Sequence, residues 1–307
     1  MLRTLSLVIV AAAAHLLAPA ASLAEGHAPA TADAPFRIVD ADWLHARLDD
    51  PNLRILDVRN NSGHYLAGHI PGAVNLAEST MRAPEAGMPF RYLPPEDMAR
   101  MLQKAGVTTD HEVVLYSDSA GVLGSTMVAY GLLRVGHDKV RVLDGGIDDY
   151  KAKHPLTQAY PSFIERPLEA SFDRTLFVTL DEVAGALEAG GTTFLDARPP
   201  ADYRGETRTW QRNGHIPGAI SLDWHRLMHD DNNHRFRSNA EIRAIFKAEG
   251  VTGEESIVAY CGTSREATLL YLYMKHVLGF EDVRLFEGSW TEYCANPDLP
   301  VATGDAP

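Results

Sequence analysis

The chain has 307 residues, 45% of them hydrophobic and 22% charged, with a formal net charge of −13. Length and composition predict a soluble globular protein of two domains, each able to bury its own core. The acidic balance and the absence of any long Lys/Arg cluster exclude a nucleic-acid surface, and two cysteines, Cys261 and Cys294, are too few for a disulfide scaffold.

The first residues have the layout of a secretory signal peptide. Arg3 supplies the positive start, Leu7 to Leu17 is apolar apart from His15, and Ser22-Leu23-Ala24 is a small-x-small site before Glu25. An export signal is therefore expected over 1–24, with an exported, periplasmic mature chain. The apolar run is short for a membrane span, so stable membrane insertion after signal removal is not expected; a retained N-terminal anchor is the alternative. Residues 25–35, rich in Ala, Pro and Thr, read as a flexible lead-in.

From Phe36 helices and strands alternate. Asp40 caps a helix running to Leu48, and Leu53 to Arg59 is a strand. Gly68-His69-Ile70-Pro71-Gly72-Ala73 is a turn, and Pro94 to Ala105 an amphipathic helix with Pro95 near its start and Gly106 past its end. Strands follow at Glu112 to Tyr116 and Lys139 to Leu143, separated by a helix from Val122 to Val135. A short helix over Ile147 to Lys151 closes the first half. Residues 154–174, with Pro155, Pro161 and Pro167, read as a linker between a domain over 36–153 and one over 175–304.

The second half repeats the first. Thr179 with Glu182 opens a helix to Ala189, and Thr193 to Arg198 is a strand. Gly214-His215-Ile216-Pro217-Gly218-Ala219 is the turn, Asn239 to Ala248 a helix, and Val283 to Gly288 carries the last strand. Between these last two, the apolar run Ile257 to Tyr260 ends at Cys261. A small, polar loop follows, then Ala267 to Leu278, apolar enough for a buried helix. Leu-Asp-x-Arg, Gly-His-Ile-Pro-Gly-Ala and an apolar strand and helix thus occur twice in one order, which marks a duplicated domain. Such alternation implies mainly parallel sheets with helices on both faces and ligands beyond the strands' carboxyl ends, where Cys261 lies.

The Cys261 loop admits two readings. Loop N–H groups and the helix's positive end, with Arg265 nearby, are expected to lower the thiol pKa; alternatively Cys261 is a buried strand-end cysteine. Whether it pairs with Cys294 is open, and Cys294, after Trp290 on a last short helix, reads as packing. His225, His229, Asp230, Asp231 and His234 have no familiar metal spacing and read as a solvated loop. Gly205 to Asn213 reads as a surface loop, or as one whose Arg208 and Trp210 overhang the site.

The duplicated Asp-x-Arg, Gly-His-Ile-Pro-Gly-Ala and strand-Cys-loop-helix set resembles the tandem-domain rhodanese-type sulfurtransferases, over roughly Phe36 to Thr303. The resemblance implies two rhodanese-like domains, each a five-stranded mainly parallel sheet with helices on both faces, only the second being catalytic. Here the first half has Tyr116-Ser117 where the second has Tyr260-Cys261; a Ser117 hydrolase is the alternative, but no base is evident beside it. The resemblance also implies that Cys261 takes sulfur from a small anionic donor, thiosulfate or 3-mercaptopyruvate. The sulfur then passes as a persulfide to cyanide or a thiol, without metal or cofactor, the N–H groups of Gly262, Thr263, Ser264, Arg265, Glu266 and Ala267 stabilising it.

In the family that this chain resembles, loops often read Cys-Arg-Lys-Gly-Val-Thr for thiosulfate users and Cys-Gly-Ser-Gly-Val-Thr for mercaptopyruvate users. Gly262 matches the second pattern, whereas Ser264 replaces a glycine and Arg265-Glu266 fits neither. Arg265 is expected to hold an anionic donor or to pair with Glu266 or Asp196, and Glu266 to oppose a thiolate unless it faces away. Asp202 stands where some tandem members carry a substrate-binding arginine, leaving Arg204 as the nearest substitute. Asp196, Arg198 and His215 read as structural support, because Asp57, Arg59 and His69 repeat them in the half without cysteine. A non-catalytic protein that binds sulfur compounds or a partner is the rival class; a phosphatase loop would need arginine six positions after the cysteine, where Ala267 stands.

Overall fold

The computed structural model describes residue 27, residues 34–118 and residues 121–307. The export signal expected over 1–24, most of the lead-in and Ser119-Ala120 lie outside the described residues. No helix among the described residues is long and apolar enough to cross a membrane.

The first unit is built from β1 (Phe36–Val39), α1 (Ala41–His45), β2 (Leu53–Asp57), α2 (Ser62–Ala67), β3 (Ala73–Asn75), a hairpin of β4 (Arg82–Glu85) and β5 (Met88–Tyr92), α3 (Pro95–Lys104), β6 (Glu112–Tyr116), α4 (Leu123–Arg134), β7 (Val140–Leu143) and α5 (Gly146–Lys153). The second repeats the order: β8 (Phe177–Val178), α6 (Leu180–Ala189), β9 (Thr192–Asp196), α7 (Pro200–Tyr203), β10 (Ile220–Ser221), a hairpin of β11 (Met228–His229) and β12 (Asn232–Phe236), α8 (Asn239–Ala248), β13 (Ser256–Tyr260), α9 (Arg265–Leu272), β14 (Val283–Phe286) and α10 (Ser289–Tyr293).

Each unit holds one five-stranded sheet, ordered β1-β7-β6-β2-β3 and β8-β14-β13-β9-β10, and every pairing within both sheets is parallel. The central strands run nearly without polar residues because both faces are covered. Local chemistry sets the helix starts: Asp40 accepts from the Trp43 N–H, and Thr179 with Glu182 and Ser238 with Glu241 form capping boxes.

The helices that follow the Ser117 and Cys261 loops are largely buried because they pack against each other between the units. Every residue of α4 is buried, Thr268 Oγ1 on α9 lies 3.0 Å from Thr126 Oγ1 on α4, and Tyr130 meets Tyr271 edge to face at 5.5 Å. One apolar cluster runs from Leu115 and Met127 through to Ala267 and Leu285, joining the two cores. The helix expected to Leu278 keeps α geometry only to Leu272, widens into π turns over Tyr273–Leu278, and stops at Gly279, whose φ is +77°.

The hairpins were not foreseen, and they cross between units. The first reaches the Cys261 side: Arg91 makes a bidentate ion pair with Glu292 on α10, one contact being 3.0 Å. The second reaches the Ser117 side, where Arg235 grips Asp149 on α5 at 2.8–3.1 Å and the Val122 N–H donates to the Asn233 carbonyl. Register makes them equivalent, since Arg82 pairs with Tyr92 as Met228 pairs with Phe236.

Candidate active site

Cys261 sits at the carboxyl end of β13, the central strand of the second sheet, and is completely buried. Residues 286–291 clamp its loop from one side. Ser289 Oγ accepts from the Cys261 and Ser264 N–H groups at 3.2 and 2.9 Å, and the Trp290 and Thr291 N–H groups donate to the Cys261 and Gly262 carbonyls at 2.8 and 3.0 Å. Ser264, at the position where family loops carry glycine, has φ +63°, the left-handed region that glycine enters freely.

The expectation of a lowered thiol pKa is overturned. Burial, then the charge of Glu266 and its hydrogen bonding with the thiol, push Cys261 well above its ordinary value; the N–H groups of Ala267 and Thr263 pull the other way and are outweighed. Two loop N–H groups therefore serve the sulfur, while that of Ser264 is spent on Ser289. Glu266 faces the cysteine rather than away, and its Oε2 is buried without a hydrogen-bond partner.

Arg265 does not attend the cysteine and pairs with neither Glu266 nor Asp196. Its guanidinium meets Glu78 of the first unit at 2.9–3.1 Å, and the Asn60 amide donates to the same carboxylate at 2.8 Å. Arg204 is likewise removed from the proposed donor role, its charge being taken by Glu206 at 2.8 Å and Asp305 at 3.7 Å. Asp202 uses Oδ1 to accept from Trp210 Nε1 at 3.2 Å and from the Thr207 hydroxyl at 2.6 Å. So held, the Trp210 ring lies on Gly262, where an added Cβ would stand 2.6 Å from it. The 205–213 segment thus overhangs the loop through Trp210, while Arg208 is exposed.

Asp196, Arg198 and His215 brace the fold. Arg198 binds both oxygens of Asp196 and donates to the Gly214 carbonyl at 2.7 Å; Arg59 does the same with Asp57 and the Gly68 carbonyl at 2.9 Å. His215 Nδ1 is 2.8 Å from the Tyr203 carbonyl and His69 Nδ1 2.9 Å from that of Tyr65. In the first unit the Ser117 hydroxyl donates to the Gly121 carbonyl at 2.8 Å. The His64–Asp118 pair (2.8 Å) lines the same cavity of about 260 Å³, but the hydroxyl is committed elsewhere. Cys261 and Cys294 are both free thiols. His225, His229, Asp230, Asp231 and His234 line another cavity, and no group of described residues there or elsewhere has metal-binding geometry.

Sequence reasoning missed the wall supplied by the first unit. Arg82 Nη1 donates to the Thr263 carbonyl at 2.6 Å, and the Ser264 hydroxyl lies 3.3 Å from the buried Tyr92 hydroxyl. A signal existed: matching the halves puts Arg82, Tyr92 and Glu78 opposite Met228, Phe236 and Trp224, so polar groups stand at these positions only in the half without the cysteine.

Comparison with known proteins agrees with this geometry. The rhodanese-like domain family matches residues 40–153 and again residues 179–296. A relative from Synechococcus elongatus, provisionally named a thiosulfate sulfurtransferase, is 41% identical over 286 residues, 90% of this chain and 88% of the relative. The 3-mercaptopyruvate sulfurtransferase of Escherichia coli K12 is 31% identical over 86% of this chain and 96% of its own. The crystal structure of SseA from Escherichia coli, described with the rhodanese fold of 3-mercaptopyruvate sulfotransferases, superposes with a TM-score of 0.73 at 28% identity, covering 83% of this chain and 99% of that one.

Proposed function

We propose that this chain, which belongs to the rhodanese family of sulfurtransferases, moves a sulfane sulfur from thiosulfate to cyanide or a thiol through a persulfide on Cys261. The observation that carries the reading is the difference between the halves. Both keep the Asp-Arg brace and the strand-loop-helix, and Cys261 stands in one where Ser117, its hydroxyl committed to a backbone carbonyl, stands in the other.

In the first step the Cys261 thiol loses its proton and the thiolate attacks the outer sulfur of thiosulfate. The new S–S bond forms as the donor's own S–S bond breaks, and sulfite leaves with the electron pair. The Thr263 and Ala267 N–H groups stabilise the anionic persulfide. Cyanide then takes the outer sulfur as thiocyanate and the Cys261 thiolate is restored. Because the resting thiol is held protonated, the Glu266 carboxylate facing it is placed to take the proton.

That same carboxylate favours a second reading, with 3-mercaptopyruvate as donor. There a C–S bond breaks, the departing electron pair makes the enolate of pyruvate, and the enolate needs a proton, which protonated Glu266 returns. Gly262, as in the family's mercaptopyruvate loops, points the same way.

Single-turnover mixing with each donor tests both readings. Sulfite from thiosulfate or pyruvate from mercaptopyruvate is measured, with mass spectrometry of the Cys261 peptide for one added sulfur atom. Cys261→Ser abolishes product and adduct, while Ser117→Ala leaves both nearly intact. Turnover that survives Cys261→Ser overturns the mechanism.

A further inference from the structure

We propose that Arg82, on the hairpin lent by the non-catalytic domain, binds the anionic end of the sulfur donor at the Cys261 loop. The inference rests on Cys261 being the sulfur acceptor and adds the group that recognises the donor's charge.

Charge at the loop is the starting point. Arg265 and Glu78 neutralise each other, and Glu266 puts a carboxylate beside the thiol. A donor carrying a sulfonate or carboxylate enters this negative surround only if a cation offsets it. Other arginines near the loop are spent: Arg91 on Glu292 and Arg134 on Glu287 across the junction, and Arg212, within the second unit, on backbone carbonyls including those of Cys294 and Leu299.

Arg82 is different. Among the described residues it makes no ion pair. Its guanidinium stacks 5.2 Å from the Phe90 ring centroid and gives Nη1 to the Thr263 carbonyl, two residues past the cysteine. Its Nε is buried and has no hydrogen-bond partner. A half-buried guanidinium with an unused donor and no carboxylate is a charge awaiting an anion, and its planar fork suits sulfonate and carboxylate alike.

The duplication supplies a control inside the molecule. Arg91–Glu292 and Arg235–Asp149 recur at both crossings and belong to the architecture. Arg82 does not recur. Its register equivalent over the Ser117 loop is Met228, so the cation is present only where the cysteine is.

The test compares wild type with Arg82→Met, Arg82→Lys and Arg208→Ala, Arg208 being the exposed rival on the 205–213 loop. Two measurements are made: steady-state kinetics with thiosulfate and with mercaptopyruvate, and the rates at which iodoacetate and uncharged iodoacetamide alkylate Cys261. Arg82→Met is expected to raise KM for at least one donor by about tenfold or more, with a smaller change in kcat. It slows iodoacetate by a similar factor and leaves iodoacetamide within about twofold. Arg82→Lys recovers part of each loss. A loss confined to thiosulfate assigns Arg82 to a sulfonate-type group, one confined to mercaptopyruvate to a carboxylate, and a loss in both to the shared charge. Equal slowing of iodoacetate and iodoacetamide, or the anion-selective loss appearing in Arg208→Ala instead, overturns the proposal. The alkylation ratio reads charge at Cys261 without sulfur transfer, so failure of the donor chemistry is recognised separately.

Discussion

Glu78→Ala removes the carboxylate that ties the helix after the Cys261 loop to the first domain. The Glu78 side chain is 8% exposed and that of Arg265 22%, with three nitrogen–oxygen contacts of 2.9–3.1 Å between them. Hydrogen bonds to charged groups contribute about 1.5–3 kcal/mol, and stripping the partner from a fully buried charge costs about 3–5 kcal/mol. Arg265 keeps enough exposure to regain some hydration, so the expected loss is about 2–3 kcal/mol, or roughly 3–5 °C in Tm for a chain of this size. Urea unfolding followed by tryptophan fluorescence reads it, with Trp43 reporting on the first domain and Trp210, Trp224 and Trp290 on the second. Replacing both partners, as Glu78→Met with Arg265→Met, should cost less than either change alone, because no unpaired charge is left behind. Single variants each costing under about 0.5 kcal/mol, with additive effects in the double, would show that the pair is an ordinary surface contact and refute the argument.

Two further outcomes follow from the loop. Alkylation of Cys261 by iodoacetamide requires the thiolate. Burial and Glu266 raise the thiol's pKa, so the rate climbs with pH through a midpoint above that of an ordinary thiol. Glu266→Gln removes the second cause, lowers that midpoint and speeds the reaction at pH 7; a wild-type midpoint at or below the ordinary thiol value contradicts the burial argument. Gly262→Ala places a methyl 2.6 Å from the Trp210 ring, which costs about 1–3 kcal/mol by overpacking. Adding Trp210→Leu should recover most of it in thermal melts, and no recovery would mean that the loop, not the indole, resists the methyl.

The frame of this molecule is local, and so it was legible. Thr179 with Glu182, Ser238 with Glu241 and the apolar run Glu112 to Tyr116 each carry within a few residues all that fixes them, and matching the halves separated bracing residues such as Arg198 from Cys261. The site was less legible because its decisive contacts are long-range. Arg82-Ala83-Pro84-Glu85 and Met88 to Tyr92 contain two prolines and little alternation, and the hairpin's place comes from Thr263 and Glu292, some 180 to 200 residues away. The thiol's pKa misled for a related reason. Loop dipoles can be inferred from a strand-loop-helix pattern, but complete burial and the direction of Glu266 depend on what the other domain and Trp210 cover.

That exchange of hairpins also explains why a half without the cysteine is built as it is. Each domain completes the other's loop. The domain lacking the cysteine sets Glu78, and Arg82 and Tyr92 of its hairpin, against Arg265, Thr263 and Ser264. The domain that has the cysteine carries Met228 and Phe236 at the register positions of Arg82 and Tyr92, and its Trp224, just before the hairpin, lies over Gly121. The two specialisations are opposite sides of one change. On the proposed mechanism only one loop handles an anionic, reactive sulfur, so only the positions covering it need a cation and a hydroxyl, and their counterparts Met228 and Phe236 serve packing. The braces Arg91–Glu292 and Arg235–Asp149, needed at both crossings whatever the chemistry, stayed alike.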